Sequence, residues 1–341
     1  MLSQECRVTW ERNSNYYLQG IDSEIGDGHD FKIFCNDKIF VIAIRPAGPT
    51  DDQIRSILSR YNSAIFRNED EKEQEIQEEI ENMIYECAWQ TFAPFAPAIT
   101  PPKSPADLHT HLNPETFYFS LNMVRWKVVL VQESSPPPMP PFNLAITDGC
   151  ILQRYLTRDI SILKKFSGIG YIAKALVNGR EVCCKIGSTT NGTAVQREYE
   201  TLLTVSRSKY ANYTRVPKLL GLVVDDYGVI GILEELVLSE HTLRKILRDS
   251  VAPDRDRRKK WAQQIKQTLY QLHEIVVIWG DGKPDNILIN PKTDDAWLID
   301  FGGSFTEGWV DVELKETLAG DKQALRKITQ VLDTGQTMSL I

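Results

Sequence analysis

The sequence predicts an α+β protein in two parts, residues 1–142 and 143–341. Three observations carry this. The chain has 341 residues, enough for about two domains, each with a core of its own. Strand-length apolar runs open each half, and amphipathic helical patterns follow them. Between the halves lies "ESSPPPMPPF" (133–142), whose fixed proline angles make a stiff, extended spacer, favoured here over a proline-rich ligand segment.

Composition narrows the class. Hydrophobic residues make up 42% and charged residues 25%, the usual globular mix, so the bulk of the chain is expected to fold. A net charge of −7 argues against a broad electrostatic footprint for nucleic acid. The longest apolar runs are about six residues, as in "IFVIAI" (39–44), far short of the roughly 20 that a membrane-spanning helix needs. The opening "MLSQECRVTWERN" lacks the apolar core of a signal peptide, so an intracellular protein, cytoplasmic or nuclear, is expected. Cys6, Cys35, Cys87, Cys150, Cys183 and Cys184 form no CxxC pair, which favours reduced, mostly buried thiols. His109 and His111 have no companion ligands nearby and read as loop histidines.

In the first half, "FKIFC" (31–35) and "KIFVIAI" (38–44) read as strands punctuated by "ND". A helix follows, with Thr50 and Gln53 as a capping box and Ile54, Ile57, Leu58, Tyr61 and Ile65 at helical spacing. The next helix carries Ile76, Ile80, Met83, Ile84 and Cys87 on one side and acids on most others, the pattern of a solvated amphipathic helix. Several prolines between 94 and 105 mark an irregular crossing, and "LNMVRWKVVLV" (121–131) reads as one strand.

In the second half, "KKFSGIGYIAKALVNGREVCCKIG" (164–187) reads as two strands with Gly168 and Gly170 at the first turn. The third position of a G-x-G-x-x-G pattern is Ala173, so the loop can approach a phosphate with reduced backbone freedom. Lys185 ends the apolar strand "EVCCK". A lysine among such neighbours is costly to leave unpaired and implies an anionic partner. The next helix, capped by Thr193 and Gln196, buries Val195, Tyr199, Leu202 and Leu203. At about 100° per residue, Glu198 lies nearer the centre of that stripe than Glu200 and is the partner expected for Lys185. Two more strands, within 215–237, end at Glu234 and Glu235, and a helix from about 254 to 274 turns Trp261, Ile265, Leu269 and Leu272 inward. It leads to "VIWGDGKPDNILIN" (277–290), where two acids, a lysine and an asparagine crowd a loop that a plain turn would not require. Asp300 follows in "AWLIDFGGS".

In this order and near these spacings, the Gly-rich turn, strand lysine, helix glutamate, Asp-x-Lys-Pro-x-Asn loop and Asp-Phe-Gly resemble a eukaryotic protein kinase domain over roughly residues 155–330. The later "LIDFGGS", "GW" and "GD" resemble short kinase-like proteins common in filamentous fungi. The resemblance implies a bilobal fold, with a small β-rich N-lobe and a shortened, mainly helical C-lobe, preceded by an N-terminal α+β region of unknown role. It implies ATP and Mg²⁺ as cofactors and a hydroxyl acceptor, protein or small molecule; from the charge and the short apolar runs, neither nucleic acid nor membrane is expected as partner. Asp281 would act as base and Lys283 would steady the γ-phosphate. Lys185, aligned by Glu198, would grip the α- and β-phosphates under Gly168 and Gly170. Asn286 and Asp300 would hold Mg²⁺, and the Glu234 to Leu236 backbone would face the adenine. Lys283 with Pro284 is more like the loop of Ser/Thr protein kinases than that of small-molecule kinases.

The chain also departs from the family. Trp279 and Gly280 replace the usual His-Arg, which implies that no activation-loop phosphate is received there. Only 39 residues follow Gly302, without Ala-Pro-Glu. They have room for one helix with Ala324, Leu325, Ile328, Val331 and Leu332 on its apolar face, and Asp321 as a candidate anchor. The leading expectation is an active phosphotransferase. A pseudokinase that binds nucleotide or partners and a small-molecule kinase are the alternatives.

Overall fold

The computed structural model describes residues 16–23, 28–36, 38–45, 53–67, 69–97, 105–125, 127–135, 142–146, 151–166, 171–189, 191–239, 241–248 and 253–334. The chain divides into two compact units, one of residues 1–104 with 110–139, the other of residues 105–109 with 140–341. Among the described residues, no helix is long and apolar enough to cross a membrane.

In the first unit, β1 (Tyr16–Ser23), β2 (His29–Cys35) and β3 (Lys38–Ile44) are followed by α1 (Gln53–Phe66) and α2 (Asp70–Phe92). After the one-turn α3 (Leu108–Leu112) come β4 (Thr116–Val124) and β5 (Lys127–Glu133). The sheet runs β1-β2-β3-β4-β5, with only the β3–β4 pair parallel, and α1 and α2 supply the long connection that a parallel pair needs. Register pairs Phe31 with Ile42 and Ile33 with Phe40, so alternate residues share one buried face. Ile54, Ile57, Leu58 and Tyr61 of α1, and Ile76, Ile80 and Ile84 of α2, pack into the same core.

Two expectations for this unit are corrected. Ile65 is exposed, and Ala64 takes the last buried place of α1, because a stripe of 3.6-residue period reaches position 64 three residues after Tyr61. The run 121–131 is a hairpin, not one strand: Arg125 turns the chain at φ +49° without the Gly or Asn that would have announced it. Thr50 lies outside the described residues.

The second unit begins with β6 (Arg154–Leu156), β7 (Ser161–Lys165), β8 (Tyr171–Val177) and β9 (Arg180–Ile186). Then come α4 (Gly192–Ser206), β10 (Leu219–Val224) and β11 (Val229–Glu235), forming the sheet β6-β10-β11-β9-β8-β7. Asn178 and Gly179, at φ +50° and +76°, make the tight turn between β8 and β9. The helical part holds α5 (Leu243–Arg248), α6 (Arg255–Glu274), the hairpin β12 (Ile287–Ile289) and β13 (Ala296–Leu298), and α7 (Leu318–Thr334). Asp254 caps α6 by accepting from the amides of Asp256 and Arg257, and Trp261, Ile265, Leu269 and Leu272 are buried. Ala324, Leu325, Ile328 and Leu332 of α7 join that core, with Val331 partly buried against it. This unit is α+β, strand-rich in its first part and mainly helical in its second.

Residues 105–109 and 142–146 are held onto this unit. The Leu108 amide donates to Ile160, and Ile162 donates back to Ala106. Leu144 donates to Val229, and Phe142 packs where Gly187 and Gly192 lack side chains. The expected cap of α4 is corrected here. Asn191 precedes the helix, Thr193 is exposed, and the Gln196 amide instead bonds both backbone groups of Ala145, at 2.8 and 2.9 Å. The passing segment offers Gln196 a donor and an acceptor together, which the helix start cannot.

A Cβ at Gly192 would run into the Phe142 ring. Gly192→Ala is therefore expected to cost about 1–3 kcal/mol by overpacking, a fall of several degrees in Tm. In a Phe142→Ala background the same change should cost almost nothing. An unchanged Tm in the single variant would refute this packing.

Candidate active site

β9 is buried on both faces, with Val182, Cys184 and Ile186 on one side and Cys183 and Lys185 on the other. Lys185 therefore places an ammonium where water cannot solvate it. α4 answers from its buried stripe of Val195, Tyr199 and Leu202, where Glu198 is only 3% exposed. Lys185 Nζ donates to both Glu198 carboxylate oxygens at 2.7 Å. A second acid, expected to contribute only its backbone, also reaches it. Glu234 of β11 stands opposite Cys183 and so shares the face of Lys185 as its diagonal neighbour, with Oε1 at 3.1 Å from Nζ. Glu234 Oε2 has no hydrogen-bond partner among the described residues. Strand alternation was the available signal: Ile232 lies opposite Lys185, and Glu234 two residues on must face the same way.

Burial opposes the Lys185 charge, but Glu198 and then Glu234 outweigh it and hold the ammonium above its ordinary value. Burial pushes the Glu198 carboxyl up to about 7, with Lys185 pulling the other way. Asp300 acts on both groups, which brings it into the same electrostatic neighbourhood.

The 279–286 loop is hung from α7. Asp321, 1% exposed, accepts from the amides of Trp279 and Gly280 at 2.9 Å each, and from His273 Nε2 at 2.8 Å. Trp279 is fully buried and its indole donates to the Ile299 carbonyl. Gly280, at φ +90°, turns the chain so that Asp281 faces the loop. The Asp281 carboxylate receives Lys283 Nζ, Thr306 Oγ1 at 2.8 Å and Asn286 Nδ2 at 3.1 Å. Lys283 also donates to Thr306 Oγ1 at 2.8 Å. The Ile299 amide donates to the Asn286 carbonyl, tying this loop to the strand end that delivers Asp300.

Asp300 is exposed and left-handed at φ +64°. Phe301 beyond it is buried, and its amide donates to Glu198 Oε1 at 3.2 Å. The chain then turns through Gly303 and Ser304, at φ +87° and +89°, and the Ser304 amide donates to Glu316 at 2.6 Å. Glu316 is ion-paired with Arg197 of α4. Leu236 follows β11 and is half-buried, while Gly168 and Gly170 lie outside the described residues. Thr306, Arg197 and Glu316 were not anticipated; two sit on irregular loops with no diagnostic spacing, and Arg197 reads simply as the polar flank of α4.

Residues 167–308 match the family model of the protein kinase domain. This stretch is protein kinase-like. The match takes in Lys185, Glu198, Asp281, Lys283, Asn286 and Asp300, covers under half of the chain, and marks a kinase-like phosphotransferase domain. No curated protein matches the chain.

The raised Glu198 carboxyl makes a signed prediction for the kinase-like unit. Its folded value is about 7 against 4.5 ordinarily, so the folded state holds a proton that the unfolded chain releases. That contribution to stability is present below about pH 4.5 and lost as pH rises through about 7. Tm measured from pH 5 to 8 should show wild type losing ground to Glu198→Gln, which cannot titrate. A difference that grows in favour of wild type would contradict the assignment.

Proposed function

We propose that the protein is an ATP- and Mg²⁺-dependent phosphotransferase, Ser/Thr protein kinase-like, that moves the γ-phosphate of ATP to a hydroxyl acceptor. One observation carries this reading: Asp281 and Lys283 hold a hydroxyl between them, that of Thr306, as a carboxylate base that takes a proton and a cation that neutralises phosphate would hold an acceptor alcohol. In the reaction, the acceptor oxygen bonds to the γ-phosphorus as the bond to the β–γ bridging oxygen breaks. ADP leaves, and the acceptor proton passes to Asp281. Lys283 balances charge on the moving phosphoryl group, and Lys185, steadied by Glu198, binds the α- and β-phosphates. Gly168 and Gly170 would cover those phosphates, and the backbone from Glu234 to Leu236 would border the adenine.

Among the described residues, no group of three or more His, Cys, Asp or Glu side chains converges as a metal site. Asn286 and Asp300 offer oxygen donors of the kind Mg²⁺ accepts, since Mg²⁺ usually keeps several waters and completes its shell with substrate phosphates. Bound there, it would supply positive charge to the phosphates.

A second reading, a nucleotide-binding scaffold without turnover, is favoured by Glu234, which gives Lys185 another carboxylate to hold it away from a phosphate.

Turnover and binding separate the two readings. Asp281→Asn should lower kcat by about 10²–10⁴-fold and keep the rise in Tm on adding ATP with Mg²⁺. That rise reflects roughly 2.7 kcal/mol at 100 times Kd. Lys185→Ala should lose it. A wild-type protein that shows the rise but transfers phosphate to no hydroxyl compound or to water leaves only the scaffold.

A further inference from the structure

Three consecutive residues of α4 serve three different segments. Gln196 bonds Ala145, Arg197 pairs with Glu316, and Glu198 holds Lys185. The last two converge on one stretch of chain from its two ends. Glu198 accepts from the Phe301 amide, while Arg197 holds the carboxylate that accepts from the Ser304 amide. The two residues joined by the second of these bonds are in conformations that side chains resist. Ser304 and Glu316 are left-handed at φ +89° and +57°, so something must hold them there.

The surroundings are shaped around this ion pair. A Cβ at Gly280, on the loop that carries Asp281, would stand 3.0 Å from Arg197 Nη2 and 3.4 Å from each Glu316 carboxylate oxygen. A Cβ at Gly303 would collide with the guanidinium and come within 2.9 Å of Glu316 Oε1. The 303 segment therefore approaches the pair this closely only because it presents a glycine, and a side chain at Gly280 would crowd the pair from the other loop. The side chains are 28% and 36% exposed, so the pair is partly shielded from solvent screening.

We propose that Arg197 and Glu316 are positioning residues that form a built-in clamp. The clamp holds the 300–306 segment on α4, so that Asp300 and Thr306 take their places in the site without any covalent modification. The inference rests on the phosphotransfer reading for its effect on rate, but the clamp itself is a physical contact that can be tested without turnover.

The test combines amide hydrogen exchange at Ser304 in the full chain with steady-state kinetics, on Glu316→Gln, Arg197→Ala, Glu316→Ala and the Arg197→Ala/Glu316→Ala double variant. Ser304 exchange is expected to rise at least tenfold in every variant. kcat should fall at least tenfold, with KM for ATP within about twofold, a split that general loosening of the fold would not produce. Because the pair acts as one unit, the double variant should be no worse than the worse single. Unchanged Ser304 exchange, additive losses, or faster exchange with kcat unaltered would each overturn the clamp. If wild type proves to have no turnover, the phosphotransfer reading fails, and the exchange data from the four variants still decide whether the clamp exists.

Discussion

An ammonium buried in a strand has to be neutralised by its neighbours or the strand cannot be buried, and Lys185 imposes that condition on the second unit. The buried part of β9, residues 182–186, is apolar on both faces apart from this group, so a carboxylate must be brought to it from outside that part of the strand. Glu198 fills the need from α4, and Glu234 adds to it from β11. The position of α4 is therefore set by electrostatics as well as by the packing of Val195, Tyr199 and Leu202. Once Glu198 is fixed, its Oε1 also fixes the amide of Phe301, and so the backbone that presents Asp300. A single buried charge thus orders strand, helix and loop together.

The departures from the kinase pattern have physical explanations in the same arrangement. Trp279 fills core volume and uses its indole donor on Ile299, so an aromatic residue with one N–H suits the position. Gly280, where the resemblance leads one to expect arginine, has a φ of +90° that side chains resist, and a Cβ there would stand 3.0 Å from the Arg197 guanidinium. The positive charge missing from the loop is supplied from α4, and it is already neutralised within the chain.

Legibility in the sequence followed the strength of local constraint. The Lys185–Glu198 pair could be read because an apolar strand with one lysine demands an acid and helix phase singles out Glu198 over Glu200. The anchoring of the loop by Asp321 was suggested by the kinase resemblance and by no local pattern. Glu234 was half legible: its strand was evident, but its side-chain contact required the register with β9. The turn at Arg125 was hidden because an arginine occupied the left-handed position. Gln196 was misread as a cap because its partner, Ala145, is 51 residues away in sequence. Thr306 and Glu316 lie on irregular chain, where no period or spacing tells which side chain points inward.

The use of Gln196, Arg197 and Glu198 has a consequence for how the site responds to disturbance. Consecutive residues of a helix point about 100° apart, so no rigid movement of α4 breaks one of the three contacts without disturbing the other two. A rotation that frees Gln196 from Ala145 also swings Glu198 relative to Lys185, and a shift along the axis strains Arg197 against Glu316. Contacts that share one rigid element are coupled, and their energies are not independent. The segment 142–146, which begins where the proline-rich spacer ends, is thereby linked to Lys185 through a single helix, although it supplies no group to the site. A displacement of that segment is passed by hydrogen bonds to Gln196, and two residues along the same helix Glu198 holds the buried charge.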